Sequence, residues 1–232
     1  MSTNKSDVAA LLGKGVVGAI PIIGPLAAEV VGTIIPNQRV DRIEAMLQLL
    51  ESKLDGVEQE ILKQKIMQPE YIDLVEDCFI QASRALSDER KDYIASLLKN
   101  SLSEEQVKYT QYKKLLTILS DLNDIEIIQL KSYGLYDDSD EYEEFWSTHE
   151  DVLTQPLVYM DSSEEDLDQE ALFATYKRRL VALGLLKIRY KKPSRGQLPE
   201  FDEKTGMIKA SGHDITQLGR LLLKSIDQLS SD

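Results

Sequence analysis

Two histidines, a single cysteine and a dense run of carboxylates are the side chains of this 232-residue chain from which chemistry would first be expected. His149 and His213 lie far apart and have no Cys or carboxylate partner at ligand spacing, so no zinc site is expected. Cys78 sits on the apolar face of a predicted helix with no histidine near it in sequence, and reads as a buried structural thiol. Asp137, Asp138, Asp140, Glu141, Glu143 and Glu144 crowd together. An acid–base pair needs one carboxyl in an apolar pocket, and a calcium loop of the EF-hand type needs its glycine and its spacing. This run supplies neither pattern and reads as solvated. No Walker A sequence is present, and no GxGxxG follows a strand. The expectation is a non-enzymatic protein with no cofactor and no metal.

What remains is binding chemistry. Lys177, Arg178, Arg179, Arg189, Lys191, Lys192 and Arg195 form a basic patch in the last quarter, able to contact phosphates. Phe145 and Trp146 follow directly on the acidic run; a bare acidic linker has no use for them, so they are expected to dock on something. Charge divides the chain in three: residues 1–136 carry 15 basic and 20 acidic side chains, 137–170 carry 14 acidic and none basic, and 171–232 carry 12 basic and 6 acidic. The acidic block would repel DNA or mask the patch. That favours protein docking, or packing onto the acidic block, over nucleic acid.

The elements that must position these groups begin with Val8–Pro36, which holds two charges, five glycines and three prolines in 29 residues. Pro21 and Pro25 break it into two short predicted helices, a hairpin with an apolar bend. Val16, Val17, Ile20, Ile22 and Ile23 form its apolar surface. Gly24, Ala28 and Gly32 put small residues on one face, where another helix can approach closely. Each half is too short to cross a bilayer. Three readings stay open: a hairpin buried in a globular domain, a membrane segment exposed only on activation, and a constitutive span.

Asn37 is a candidate cap for one long helix to about Lys65. Its seam of Ile43, Leu47, Leu50, Leu54, Val57 and Ile61 is heptad-like and favours a partner helix within the chain over a dimer. Helices are predicted from Pro69 and after Ser87, and a capping box at Ser103–Gln106 opens another. Residues 1–110 therefore read as a helical bundle including the hairpin 8–36. Residues 111–232 read as a second unit with an acidic insertion at 137–170. In it the pattern predicts a helix capped by Asn123 or Asp121 and ended by Gly134, and an edge strand in Val152–Met160. A helix from Ala171 to about Leu183, a strand over 185–190, a return strand at Met207–Ser211 and a last helix from Gln217 follow. The single cysteine fits a reducing compartment, and no cleaved signal is read at the N-terminus.

The LVALGLLKI and ITQLGRLLL segments resemble winged-helix domains. The IPIIGP bend, the heptad helix and the blocks IQASRALSDERKDYIASLLKNSLS and LSDLNDIEIIQL resemble, by patterning, the abortive-infection alpha-like proteins of bacteria. That resemblance implies a bacterial or prophage protein linked to phage defence and brings no catalytic residue. The combined expectation is mainly α. It is a helical bundle followed by a winged-helix-like α+β domain, acting as an effector or adaptor in the cytoplasm or peripheral to the inner membrane. Its partner would be another protein or a second copy of the chain, with membrane lipid engaged on activation. A nucleic-acid-binding regulator using the basic helix and wing is the alternative.

Overall fold

The computed structural model describes residues 23, 39–54, 59–102, 109–136, 139–193, 195–196, 198–203 and 206–230. Among them the chain is mainly helical, with ten helices and one two-stranded antiparallel sheet. It divides into two compact units, Met1–Asp121 with Ser225–Asp227, and Leu122–Lys224 with Gln228–Asp232.

The first unit contains α1 (Val40–Lys53), α2 (Gln59–Lys65), α3 (Pro69–Arg84), α4 (Asp88–Ser101) and α5 (Tyr109–Asp121). Pro69 stands at the first turn of α3, where its missing N–H has no role to lose. The Ser87 hydroxyl accepts the Arg90 N–H at 3.2 Å and caps α4. Leu74, Val75, Cys78, Phe79 and Ala82 of α3 are fully buried, as are Ile94, Ala95, Leu97 and Leu98 of α4. Burial drives the Cys78 thiol far above its ordinary pKa, with Asp77 adding to the effect, so it stays protonated and inert. Three side chains tie the helices end to end. Gln81 donates to the Leu116 carbonyl at 3.2 Å, Arg90 to that of Leu119 at 2.8 Å, and Tyr112 to that of Asn100 at 2.9 Å.

The heptad seam is internal, but it is shorter than its spacing predicts. Ile43, Leu47, Leu50 and Leu54 are buried against α3 and α4. The helix ends at Lys53 with Leu54 as its cap, so the single long helix to Lys65 is corrected to two. In α2 Ile61 is exposed and its neighbour Leu62 is buried instead. Ile23 is helical and 1% exposed. Val16, Val17, Ile20, Ile22, Gly24, Ala28, Gly32, Asn37, Val57 and the 103–106 capping box lie outside the described residues. Among the described residues no helix is long and apolar enough to cross a membrane.

The second unit holds α6 (Asp124–Ser132), α7 (Asp140–Thr148), α8 (Glu150–Leu153), α9 (Glu164–Ala182), β1 (Leu186–Tyr190), β2 (Ala210–Ile215) and α10 (Gln217–Ser225). The helices α7, α8 and α9 all pack on α6, and β1 packs on α9. Its buried apolar side chains include Ile127, Leu130, Leu153, Leu180, Leu185, Leu186, Leu222 and Leu223. The α9 helix ends at Ala182, and Gly184 just beyond its cap Leu183, at a φ of 74°, closes a turn with the Leu185 N–H on the Leu180 carbonyl. Thr216 then caps α10. Its hydroxyl donates to the Gly184 carbonyl at 2.7 Å and accepts the Gly219 N–H at 3.1 Å.

Three expectations are corrected here. The stretch expected as an edge strand, Val152–Met160, is the end of α8 followed by irregular backbone; the acidic first turn, Glu150 and Asp151, favours the helix, and among the described residues β1 and β2 pair only with each other. The acidic segment 161–170 contains the first two turns of α9, which starts at Glu164 and not Ala171. Ser163 and Asp166 form the capping box that starts it. The return strand runs over Ala210–Ile215, because Leu186 pairs with Ile215 and sets the register; Ile208 makes only an isolated bridge to Phe201.

Candidate functional site

Within the second unit, residues from seven elements converge on a cavity of about 720 Å³. Gln129 and Ser132 reach it from α6, with Tyr133 just beyond that helix. Tyr142 and Trp146 come from α7, Leu153 from α8, and Phe173 and Lys177 from α9. Lys187 and Arg189 come from β1, Gly212, His213, Asp214 and Ile215 from β2, and Arg220 from α10. The size is that of a small-molecule or peptide-anchor pocket.

The local structure that places them is simple. On α9, Phe173 and Lys177 are four residues apart and share a face; the Lys177 Nζ lies 5.1 Å from the Phe173 ring centroid. On β1, Lys187 and Arg189 are two apart and share a face of the ribbon. Arg189 forms a 3.2 Å ion pair with Asp214 on the facing strand. Opposite Arg189 stands Gly212, where a Cβ would come within 2.8 Å of the guanidinium; the bare backbone leaves that space to the arginine. Arg220 is held by a 3.2 Å bond to the Gly134 carbonyl. On α7, the Tyr142 and Trp146 rings are tilted against each other at 5.9 Å.

The electrostatics are one-sided. Lys177, Lys187, Arg189 and Arg220 face the cavity against the single carboxylate of Asp214. Burial lowers the Lys177 pKa from its ordinary value. Burial also lowers that of His213, and the neighbouring Lys177 charge lowers it further against the opposing pull of Asp214. A half-buried lysine whose charge depresses the neighbouring histidine marks a site dominated by positive charge. His213 also meets Tyr133 edge to face at 6.3 Å.

The floor contains a second irregularity. Gln129 is 3% exposed, and neither its amide oxygen nor its amide nitrogen has a hydrogen-bond partner. Its neighbour one turn earlier on α6, Glu126, is buried but satisfied. The Glu126 carboxylate accepts the Asn123 N–H at 2.8 Å and pairs with Arg179 at 3.6 Å.

Of the residues singled out in the sequence, the structure brings Lys177, Arg189 and Trp146 together in the cavity. The rest of the basic patch is dispersed. Arg178 is exposed, Arg179 is engaged with Glu126, Lys191 pairs with Glu200 at 2.6 Å, and Lys192 and Arg195 are exposed on the segment after β1. Phe145 lies under the Lys131 ammonium, 5.0 Å from the ring centroid, and against His149 at 4.6 Å. The described carboxylates of the acidic block face solvent, Glu170 alone being partly covered, while Tyr142, Phe145 and Trp146 are partly covered. Sequence reasoning missed Gln129, Tyr133, Tyr142, Phe173, Lys187 and Arg220, and weighed His213 only as a metal ligand. The i, i+4 pair Phe173–Lys177 and the alternating pair Lys187–Arg189 were the available signals. Among the described residues no cluster of His, Cys, Asp and Glu is fit to hold a metal ion. No protein-family model, curated protein or solved structure matches the chain.

Proposed function

We propose that the protein is a non-enzymatic effector or adaptor whose C-terminal unit, winged-helix-like in its order of elements, docks an anionic ligand in the cleft. The single observation carrying this reading is the convergence of Lys177, Lys187, Arg189 and Arg220 with Tyr133, Tyr142, Trp146 and Phe173 around one cavity. Cations gathered around one cleft beside aromatic side chains favour a negatively charged partner with an apolar body. The one histidine of the cleft is biased to its neutral form, and its one carboxylate is engaged with Arg189. That pattern suits binding more than proton transfer.

Duplex nucleic acid is disfavoured by a specific feature. In a winged-helix arrangement α9 precedes the wing and would enter the major groove. Its first turns carry Glu164, Glu165, Asp166, Asp168 and Glu170, the first four exposed. The apolar Val8–Pro36 stretch is the proposed effector element, covered at rest, as the burial of Ile23 supports, and released to lipid on activation. The resemblance to abortive-infection alpha-like proteins gives phage defence as the proposed setting.

Trp146 is the only tryptophan, so its emission tests the docking reading. The full chain is titrated with tripolyphosphate, a poly-glutamate peptide and duplex DNA. A saturable change with either of the first two, lost in Lys187→Glu, supports it. Saturation with DNA alone moves the reading to a regulator, and a flat response to all three removes it. Liposome co-sedimentation with and without residues 1–36 tests the effector element; equal sedimentation of both forms would remove it.

A further inference from the structure

The lining of the cleft narrows the class of its ligand, on the reading above that the cleft is a binding site. Three observations act together. Four cations stand against one carboxylate, which calls for more than one negative charge. Tyr142 and Trp146 of α7 and Phe173 of α9 line the same space, which suits a planar ring. The Gln129 amide in the floor has a donor and an acceptor side by side and no partner for either. A buried polar group without a partner is destabilising. A ligand edge that pairs an acceptor with a donor is its natural complement, as a nucleobase edge is to a carboxamide.

We propose that the cleft binds a free nucleotide, with the base set against the aromatic side chains and Gln129, and the phosphates held by Lys177, Lys187, Arg189 and Arg220. Inorganic phosphate would leave the rings and Gln129 unused. An acidic peptide supplies the charge but no planar ring. A long nucleic acid is opposed by the exposed carboxylates of α7 and of the start of α9 on the same unit, whereas a mono- or dinucleotide ends before it meets them.

The site also predicts a pH dependence. The titratable and charged groups lining the cleft with His213 are Tyr133 beyond α6, Tyr142 from α7, Lys177 from α9, Lys187 and Arg189 from β1, Asp214 on its own strand and Arg220 from α10. A phosphate bound among them adds negative charge beside an imidazole whose pKa burial and Lys177 hold down. Binding therefore takes up a proton, and affinity rises as pH falls from about 8 towards 6.

The test is isothermal titration of the full chain with the common nucleoside mono- and triphosphates, against tripolyphosphate, free adenosine and a poly-glutamate peptide. The expected result is one-to-one binding of a nucleotide at least about tenfold tighter than tripolyphosphate or adenosine. It should weaken about ten- to a hundredfold in Lys177→Ala and in the exposed-site variant Lys187→Ala, and lose its pH dependence in His213→Gln. Gln129→Leu carries the sharpest expectation. It should weaken nucleotide binding while raising the melting temperature of the free protein, because it removes an unpartnered buried amide. Tripolyphosphate binding as tightly as any nucleotide overturns the nucleotide and leaves the anion cleft. Lys187-dependent binding of the peptide alone does the same in favour of an acidic segment. No binding by any probe overturns both the inference and the reading it rests on.

Discussion

The Lys177 ammonium stands 5.1 Å from the centroid of the Phe173 ring, one helical turn away on α9. The ring covers the cation on one side and burial weakens its hydration. The pair holds a partly desolvated positive charge at the wall of the cleft, close enough to His213 to lower that residue's pKa.

Removing that charge should release the histidine. In Lys177→Ala the His213 pKa is expected to rise, because burial remains but the repulsion from Lys177 is gone and Asp214 still pulls upward. NMR titration of the imidazole reads this directly. A pKa that does not move would mean that the two groups are not coupled.

Gly219 limits the second unit at one atom. A Cβ there would lie 2.5 Å from the Leu185 carbonyl oxygen and 2.8 Å from Ile215. Backbone cannot give way as a flexible side chain can. Gly219→Ala should therefore cost about 1–3 kcal/mol or more by overpacking. Gly196→Ala, in open space at φ 85°, should cost only about the 1–2 kcal/mol of a left-handed L-residue. Denaturant melts of the two variants check the order.

The heptad seam of α1 makes a prediction that separates packing from association. Leu47 and Leu54 are buried among α1, α3 and α4. Leu47→Glu should destabilise the fold by more than about 3 kcal/mol, and Leu54→Glu should act in the same direction. Light scattering with circular dichroism should show loss of helix, where a dimer seam would give a folded monomer.

In the first unit, Asp73 accepts hydrogen bonds from Lys113 and Tyr109, and Asp77 also meets Lys113. The bond from Lys113, then that from Tyr109, holds the Asp73 pKa below the ordinary 3.8. The unfolded chain binds this proton more readily. The stabilisation is thus complete above the ordinary value and is lost as pH falls through the lower, folded one. The site is half-exposed, so Asp73→Asn should cost less than about 1 kcal/mol at neutral pH. The gap from the parent protein should close in acid. A gap of constant size from neutral pH to strong acid would contradict the assignment.

Much of the fold is legible in local signals. Pro69, Ser87, Asn123 and Gly184 mark helix ends by backbone chemistry that acts within one turn. The errors fall where distant partners decide. Val152–Met160 has the composition of a strand but forms the end of α8 and irregular backbone. The start of α9 was hidden by its own acidity, although Ser163 and Asp166 carry the capping-box spacing. The cleft was legible only in fragments. Lys177, Arg189 and Trp146 were singled out for charge or aromaticity, but Gln129, His213 and Arg220 join them through the packing of α6, β2 and α10, which no local pattern records.

The most direct test of the cleft is the indole N–H resonance of Trp146, a single signal in a two-dimensional spectrum of the full chain because the protein has one tryptophan. Titration with a nucleoside triphosphate or with the poly-glutamate peptide should shift it saturably, and Lys187→Glu should abolish the shift. A resonance that stays fixed while every such probe is raised to millimolar excess would contradict the account.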